Sequence, residues 1–317
     1  MRMIRLTVLL VLTLFGSFTF AADARRVLAA DYSKKRIAIL DDAGKVHWEH
    51  KIDNIHDLHM LPSGNILFQT SMTRLLEVDP KKDNKVVWEY DAGKMNGNEG
   101  KRVEVHAFQR LADGTTMIAE SGIGRIIEVD AKGNIVRQVK MKVAKPDPHR
   151  DTRLVRKLES GNYLVCHEGD GAVREYSPKG DVVWEYAVPL FDKRPRRGHG
   201  AEAFGNAVFS AVRLANGNTL IGTGNGHSVL EVTPEKKIVW QVHQDDLPGI
   251  ELAWVTTLQV LPNGNVIIGN CHAGPQHPQL VEVTRDKKVV WTFKDFKNLG
   301  DATSNSQVLG VEGKVIR

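Results

Sequence analysis

The sequence predicts an all-β fold, a six-bladed β-propeller of four-stranded blades. The first observation behind this prediction is a turn glycine that recurs every 47 to 56 residues. The recurring glycines are Gly64, Gly114, Gly161, Gly217 and Gly264, with Gly313 as a weaker sixth. A supersecondary unit repeated at about 50 residues is typical of a propeller blade. The other two observations are the strand pattern within each unit and the way the two ends of the chain complement each other.

Each unit contains four short apolar segments separated by turn residues. Around Gly64 these segments cover residues 55–61, 65–70, 74–78 and 85–90. Runs of four to eight residues rich in Val, Ile, Leu and aromatic residues, bounded by Gly, Pro, Asn or Asp, are strand signals. Gly and Asn at the first turn of a unit suit the positive φ angles of tight hairpins. Each unit is therefore predicted to be one antiparallel blade.

The two ends of the chain predict how the ring closes. Residues 27–31, 36–40 and 46–50 have the pattern of strands two to four of a unit, and residues 304–309 have the pattern of a first strand. A C-terminal first strand that joins the N-terminal blade completes the sixth blade. Such closure leaves no strand edge free to pair with another chain.

The first 24 residues are predicted to be a signal peptide. Arg2 and Arg5 precede an apolar run at 6–20, and small residues follow at 22–24, which is the pattern of a cleaved secretory signal. No other stretch approaches the roughly 20 apolar residues of a membrane-spanning helix. We therefore expect residues 25–317 to form a single propeller domain that is exported, periplasmic or secreted, and monomeric, with no transmembrane segment.

Composition narrows the classes of partner. The formal net charge of +5 is spread along the chain, with one dense basic segment at residues 193–197. Nucleic acid is not expected as a partner of an exported protein that lacks an interleaved aromatic platform.

The two cysteines are not expected to form a disulfide. Cys166 and Cys271 lie in units two apart, so we expect the distance between their Cα atoms to exceed the roughly 7 Å that a disulfide tolerates.

The long segments of the chain are predicted to emerge on one face of the ring. The hairpins between strands one and two and between strands three and four are short throughout. The long segments are residues 91–104, 140–148, 189–206, 244–252, 271–279 and 295–303. In a propeller these connections surround one mouth of the central channel, and function accumulates in long loops. We therefore expect the functional site at that mouth.

One position per unit is predicted to form a ring around the channel. It stands eight residues before the turn glycine, in the first strand. The six residues at this position are His56, His106, Arg153, Phe209, Thr256 and Asn305. The ring is mostly polar and can carry positive charge, which suits a small polar or anionic ligand. The alternative is a water-filled channel whose polar groups bind water and each other.

Further candidate residues come from the same face. His149 lies close to the first strand of its unit, and Glu120 and His167 both stand six residues after a turn glycine. Trp254 departs from the repeat because it lies ahead of a first strand. The other tryptophans recur in five of the six fourth strands, with Arg137 in the corresponding place of the unit around Gly114, and this repetition indicates a structural role between blades. Those repeating residues are Trp48, Trp88, Trp184, Trp240 and Trp291.

The chain resembles bacterial propellers with pyrroloquinoline-quinone-type repeats. The resemblance rests on residues 42–48 (DAGKVHW), 180–184 (GDVVW) and 288–291 (KVVW). It covers nearly the whole mature chain and implies architecture, since such repeats occur in many proteins that are not enzymes. The quinone-dependent dehydrogenases of that superfamily have eight blades, a calcium site and adjacent cysteines. The chain departs from that pattern, so we expect no quinone cofactor.

A second resemblance is to the exported arylsulfotransferases, through residues 56–65 and 261–265. It implies that His56 or His106 acts as a nucleophile, with Arg153 and Asn305 stabilising the charge of the sulfuryl group. A third alternative is a metal-dependent lactonase. We expect no metal or other cofactor, because the ring is richer in His and Arg than in carboxylate. The leading hypothesis is a propeller that binds a small polar or anionic ligand, or a partner, at the channel mouth, with its chemistry left open.

Overall fold

A computed structural model describes residues 25–317 of the chain as six four-stranded antiparallel sheets. The predicted six-bladed propeller is confirmed. The predicted signal peptide lies outside the described residues. Within the described part of the chain, no helix is long and apolar enough to cross a membrane.

The strands follow one another blade by blade. Blade 1 contains β1 (Arg26–Asp31), β2 (Arg36–Asp41) and β3 (Val46–Lys51), and blade 2 contains β4 (Leu58–Met60), β5 (Ile66–Gln69), β6 (Arg74–Asp79) and β7 (Lys85–Asp91). Blade 3 contains β8 (Glu104–Arg110), β9 (Thr116–Ser121), β10 (Arg125–Val129) and β11 (Ile135–Lys140), and blade 4 contains β12 (Val155–Lys157), β13 (Tyr163–His167), β14 (Ala172–Tyr176) and β15 (Val182–Ala187). Blade 5 contains β16 (Ser210–Arg213), β17 (Thr219–Gly222), β18 (Ser228–Val232) and β19 (Ile238–His243), and blade 6 contains β20 (Trp254–Val260), β21 (Val266–Cys271), β22 (Leu280–Val283) and β23 (Val289–Phe293). The last strand, β24 (Thr303–Leu309), returns to blade 1, and two short 3-10 helices occupy Pro80–Lys82 and Gln244–Asp246.

The ring closes as the sequence predicts. Strand β24 pairs antiparallel with β1, with Val308 opposite Val27, and becomes the innermost strand of blade 1. The innermost strands of neighbouring blades contact one another around the channel. Both ends of the described chain are thereby held in one sheet.

The core of the described residues has seven apolar clusters. Six of them lie one between each pair of neighbouring blades, and the seventh, which includes Phe209 and Trp254, lies at the channel mouth. Strand β1 shows how the sequence builds them. Val27 packs toward blade 6 and Leu28 packs toward blade 2, because successive side chains of a strand point to opposite faces. The middle strands are apolar on both faces for this reason. Cys166 and Cys271 are both buried and unbridged.

The repeating tryptophans connect neighbouring blades. Trp240 of blade 5 donates from Nε1 to the carbonyl of Arg285 in blade 6 at 2.8 Å. The guanidinium carbon of Arg285 lies 4.1 Å from the centre of the indole ring. Trp48, Trp184 and Trp291 donate to the following blade in the same way. These contacts agree with the structural role predicted for the repeating positions.

Candidate ligand pocket at the channel mouth

A cavity of about 200 Å³ lies at the channel mouth, on the face that carries the long connections. Residues of blades 1, 2, 4, 5 and 6 and the connections between blades line it. The lining residues are Tyr32, Asn54, His56, His149, Arg153, His199, Phe209, Trp254, Thr256, Cys271, His272 and Ser304. We call this cavity the mouth pocket. A larger groove of about 530 Å³ lies at the outer edge of the ring between residues 42–44 and 291–298, away from the clustered histidines.

Several residues predicted from the sequence meet in the mouth pocket. Four of the six ring positions line it: His56, Arg153, Phe209 and Thr256. His56, Arg153 and Phe209 lie just before the innermost strands of their blades, and Thr256 is the third residue of β20. His149 and Trp254 line the pocket as well.

Asn305 lies beneath the pocket. A register shift between Ala30 and Asp31 of β1 displaces β24 by one residue, and Ser304 lines the cavity instead. The Asn305 amide donates to the carbonyl of His56 at 2.9 Å and to Asp57 Oδ1 at 3.0 Å. Asn305 thus holds the backbone of His56 and acts below the pocket surface.

Glu120 and His167 are fully buried and do not line the mouth pocket. Glu120 accepts from Tyr90 Oη at 3.1 Å and from Arg125 Nε at 2.5 Å. The two ring nitrogens of His167 contact the Asp151 carbonyl at 2.7 Å and Tyr176 Oη at 2.9 Å. Their hydrogen-bonding capacity is directed to protein groups, so the structure gives both residues a role in fixing the blades.

Three histidines cluster on one side of the pocket. The ring centres of His56 and His106 are 4.4 Å apart, and that of His149 lies 5.8 Å from His56 and 5.4 Å from His106. Burial, reinforced by the charge of Arg153, lowers the pKa of His106 to about 4. Burial, and then the neighbouring His106, lowers the pKa of His56 well below its usual value. Both imidazoles are therefore neutral at pH 7.

Glu104 joins these histidines. Its Oε2 lies 3.2 Å from His106 Nε2 and 2.7 Å from His149 Nδ1. The contact with His106, followed by that with His149, outweighs burial and lowers the pKa of Glu104 to about 2. Glu104 and His106 lie on β8, which has a register shift between Val105 and Ala107. A shift of this kind re-aims a side chain, and it places His106 behind the pocket wall.

Arg153 lines the pocket with its charge already paired. Its Nε lies 2.5 Å from Glu168 Oε2 in an ion pair, and both side chains are buried. Its Nη1 donates to the carbonyl of His149. Arg150 donates to the other oxygen of Glu168 at 2.8 Å. The guanidinium charge that the sequence offers to a ligand is thus largely compensated by the protein.

The opposite wall of the pocket is aromatic. The ring of His199 lies 5.0 Å from Trp254 and 5.5 Å from His272. Tyr32 Oη lies 2.8 Å from His272 Nε2, and burial is the main cause that raises the pKa of Tyr32. Sequence reasoning did not single out Tyr32, whose only signal is its position directly after the first described strand.

Two polar atoms of the pocket lining have no hydrogen-bond partner among the described residues. They are His56 Nδ1 and Thr256 Oγ1. A buried polar atom without a partner costs about 1–3 kcal/mol, and native proteins pair nearly all such atoms with protein, water or ligand. His56 and Thr256 therefore bring unmet hydrogen-bonding capacity to the lining, and Trp254 and His199 bring an aromatic surface.

Comparison with known proteins places the chain in a family. No curated protein sequence matches it at a significant level. Among solved structures, a protein of unknown function from Bacteroides caccae is similar with a TM-score of 0.74 at 24% identity, over 92% of this chain and 100% of that chain. A streptogramin B lyase is similar with a TM-score of 0.58 at 13% identity, over 86% of this chain and 80% of that chain. An inactive virginiamycin B lyase from Staphylococcus aureus with quinupristin has a TM-score of 0.57 at 12% identity, over 88% of each chain.

These structural similarities show the propeller fold alone, because the identities are low. A family model gives the stronger assignment, since it matches residues 33–293. That match spans most of the chain, with blades 2 to 6 and two strands of blade 1. The chain therefore belongs to the family of propellers with PQQ-like repeats whose model is described as outer membrane protein assembly factor BamB.

Proposed function

We propose that the protein binds a small polar ligand in the mouth pocket. The observation that carries this proposal is the pair of buried polar atoms, His56 Nδ1 and Thr256 Oγ1, without partners in the pocket lining. A ligand that supplies a donor or acceptor to each would remove a cost of about 1–3 kcal/mol per atom. The aromatic surface of Trp254 and His199 would cover its apolar side.

The size of the pocket limits the ligand. A cavity of about 200 Å³ holds roughly seven water molecules at about 30 Å³ each. This volume lies below the roughly 300–1,000 Å³ of pockets that enclose drug-sized ligands. Because Glu168 compensates Arg153, hydrogen bonds contribute more than charge to binding. We therefore expect a compact neutral polar molecule, or a small anion, with one flat apolar side.

Ligand screening with pocket variants tests the proposal. A library of small polar and anionic compounds is screened for a rise in melting temperature, and hits are measured by calorimetry. We expect Trp254→Ala and Thr256→Val each to weaken binding by about 10-fold or more, because each removes one contact worth roughly 1–2 kcal/mol. Trp184→Phe, on an outer strand, is the matched control and should bind as wild type. Hits that bind both pocket variants as tightly as wild type would refute the assignment of the pocket.

A second candidate is sulfuryl transfer through His56. The supporting observation is that His56 is neutral, lines the pocket and has an unpartnered Nδ1, as a nucleophilic imidazole requires. His106 suits this role less, because both of its ring nitrogens contact protein groups. In this reaction an imidazole nitrogen forms an N–S bond, the aryl O–S bond breaks and the phenolate leaves. A second phenol then loses its proton, attacks sulfur and regenerates the imidazole.

An assay with an aryl sulfate donor and a phenol acceptor separates the two functions. The transferase hypothesis predicts turnover by wild type and by His106→Ala above background, and loss of turnover in His56→Ala. Absence of turnover in wild type, or unchanged turnover in His56→Ala, would reject it.

The lactonase alternative calls for glutamate, asparagine and aspartate ligands, whereas one glutamate and two histidines converge here. We therefore do not carry it further.

A further inference from the structure

Three side chains with metal-binding atoms converge beside the mouth pocket. Glu104, His106 and His149 each offer one ligand atom, and these atoms lie within 4.8 Å of one another. In a tetrahedral zinc site the ligand atoms are about 3.3–3.5 Å apart, so shifts of about 1 Å would close the site. Glu104 and His106 come from β8, and His149 comes from the connection that precedes blade 4.

His106 Nε2 faces Glu104, and Nδ1 of the same ring faces two other protein groups. His106 Nδ1 lies 2.8 Å from the carbonyl oxygen of Thr152, and a carbonyl can only accept. Arg153 Nη1, which can only donate, also lies 3.2 Å from Nδ1, so the two neighbours of Nδ1 favour opposite tautomers. A cation between Nε2 and Glu104 Oε2, which are 3.2 Å apart, would select the tautomer with the hydrogen on Nδ1. Metal-binding histidines are commonly held in this way, with the other ring nitrogen donating to a backbone carbonyl.

The buried charges around the cluster leave one negative charge unbalanced. Glu104, Glu168 and Arg153 are buried, and they carry two negative charges and one positive charge. Arg102 and Arg150 reach the two carboxylates from positions where 68% and 48% of their side chains are exposed, so solvent screens their contribution. A bound cation would supply the missing charge.

We propose that Glu104, His106 and His149 bind a first-row transition-metal dication such as Zn²⁺. Two imidazoles and one carboxylate favour zinc or ferrous iron over magnesium and calcium, which prefer oxygen ligands. His149 and the neighbouring His56 line the mouth pocket, so the proposed site adjoins the cavity. From the sequence we expected no metal, and the proposed site departs from that expectation. It does not depend on which ligand the mouth pocket binds.

Zinc titration of the chelator-treated protein tests the proposal. We expect wild type to bind one equivalent of Zn²⁺ by calorimetry and to gain thermal stability, with no comparable response to Mg²⁺ or Ca²⁺. His149→Ala should bind at least about 10-fold more weakly. The His149 side chain is 43% exposed in a connection, so this variant is expected to fold. Glu104→Gln keeps the shape of the side chain and should weaken binding similarly. His47→Ala, on an outer strand, removes a distant imidazole and should bind zinc as wild type.

A second measurement follows the hydrogen on His106. Nitrogen chemical shifts of the imidazole in the zinc-loaded protein should show Nδ1 protonated and Nε2 bound to metal. Failure of wild type to bind zinc more tightly than about 1 mM would overturn the proposal. Unchanged affinity in His149→Ala would do the same, as would a hydrogen on Nε2 of His106 in the zinc-saturated protein. None of these readouts involves the pocket ligand, so the metal site and the proposed function can fail separately.

Discussion

Replacement of Arg156 by Met would isolate a buried carboxylate beneath the mouth pocket. Asp57 is fully buried and accepts from Arg156 at 2.7 and 3.0 Å. Burial alone would raise the pKa of Asp57, but Arg156 and then His59 outweigh it and hold the pKa well below its usual value. Breaking a buried ion pair costs about 3–5 kcal/mol. Asn305 and the more distant Arg317 still face Asp57, so we expect a loss of about 3 kcal/mol.

Denaturant and thermal unfolding measure this loss. A chain of this size loses about 2 °C in melting temperature per kcal/mol, so Arg156→Met should melt about 6 °C below wild type at pH 7. The matched control is Arg74→Met. Arg74 contacts Glu89 at 2.7 Å, and both side chains are more than half exposed. An exposed pair of this kind contributes at most about 1 kcal/mol.

The pH dependence gives the prediction its sign. In wild type the pKa of Asp57 is lower in the folded state than in the unfolded state. The ion pair therefore contributes fully to the free energy of unfolding above about pH 4, and this contribution is lost as pH falls through the folded pKa. In Arg156→Met, burial raises the folded pKa of Asp57 above its unfolded value. As pH falls, protonation of Asp57 removes the unpaired buried charge and stabilises the variant. The difference in the free energy of unfolding between wild type and variant should therefore narrow from pH 7 to pH 4. The double variant Asp57→Asn, Arg156→Met should recover part of the loss. A loss below 1 kcal/mol, or a gap independent of pH, would refute the reasoning.

Two further predictions concern the scaffold. A Cβ added at Gly224 would lie 2.0 Å from the carbonyl oxygen of Ala207, at a φ of +59°, so Gly224→Ala should lose at least about 2 kcal/mol in denaturant unfolding. A Cβ added at Gly64 has no atom within 4 Å, at a φ of +86°. Gly64→Ala should therefore lower the free energy of unfolding by only about 1 kcal/mol. Equal losses in the two variants would contradict this explanation. Burial raises the pKa of Cys166 and of Cys271, so a thiol reagent should label neither in the folded protein at pH 7 and both after denaturation. Rapid labelling of the folded protein would disprove their burial.

The fold was predictable because its signals are local. Turn glycines and short apolar strands recur in every unit of the sequence, and a tryptophan recurs in the fourth strand of five of the six blades. The predicted first strand at 55–61 is nevertheless shortened to β4 (Leu58–Met60). The backbone N–H of His56 donates to the side chain of Gln69 at 3.0 Å, and that of Leu58 donates to Asp57. Side chains thus satisfy backbone groups that strand pairing would otherwise use.

The positions of the site residues were predictable only where the strand pairing of the blade is regular. His56 and Arg153 meet in the mouth pocket as their equivalent positions indicate. His106 and Asn305 share that register, but the irregular pairing of β8 and β24 moves their side chains behind or below the cavity. Glu120 has partners from other blades and loops that no sequence spacing reveals. Position in a repeat therefore predicts the location of a Cα atom better than the direction of its side chain.

The charge of the mouth pocket is the property that sequence position describes least well. Arg153 suggests an anion site, yet Glu168 neutralises its guanidinium inside the protein. A dication bound to Glu104, His106 and His149 would change the net buried charge from one negative to one positive beside the same cavity. An anion would then be attracted by the metal, and Arg153 would only orient it. The affinity of the pocket for an anionic ligand should accordingly fall when zinc is removed, whereas the affinity for a neutral polar ligand that contacts only Trp254 and Thr256 should not.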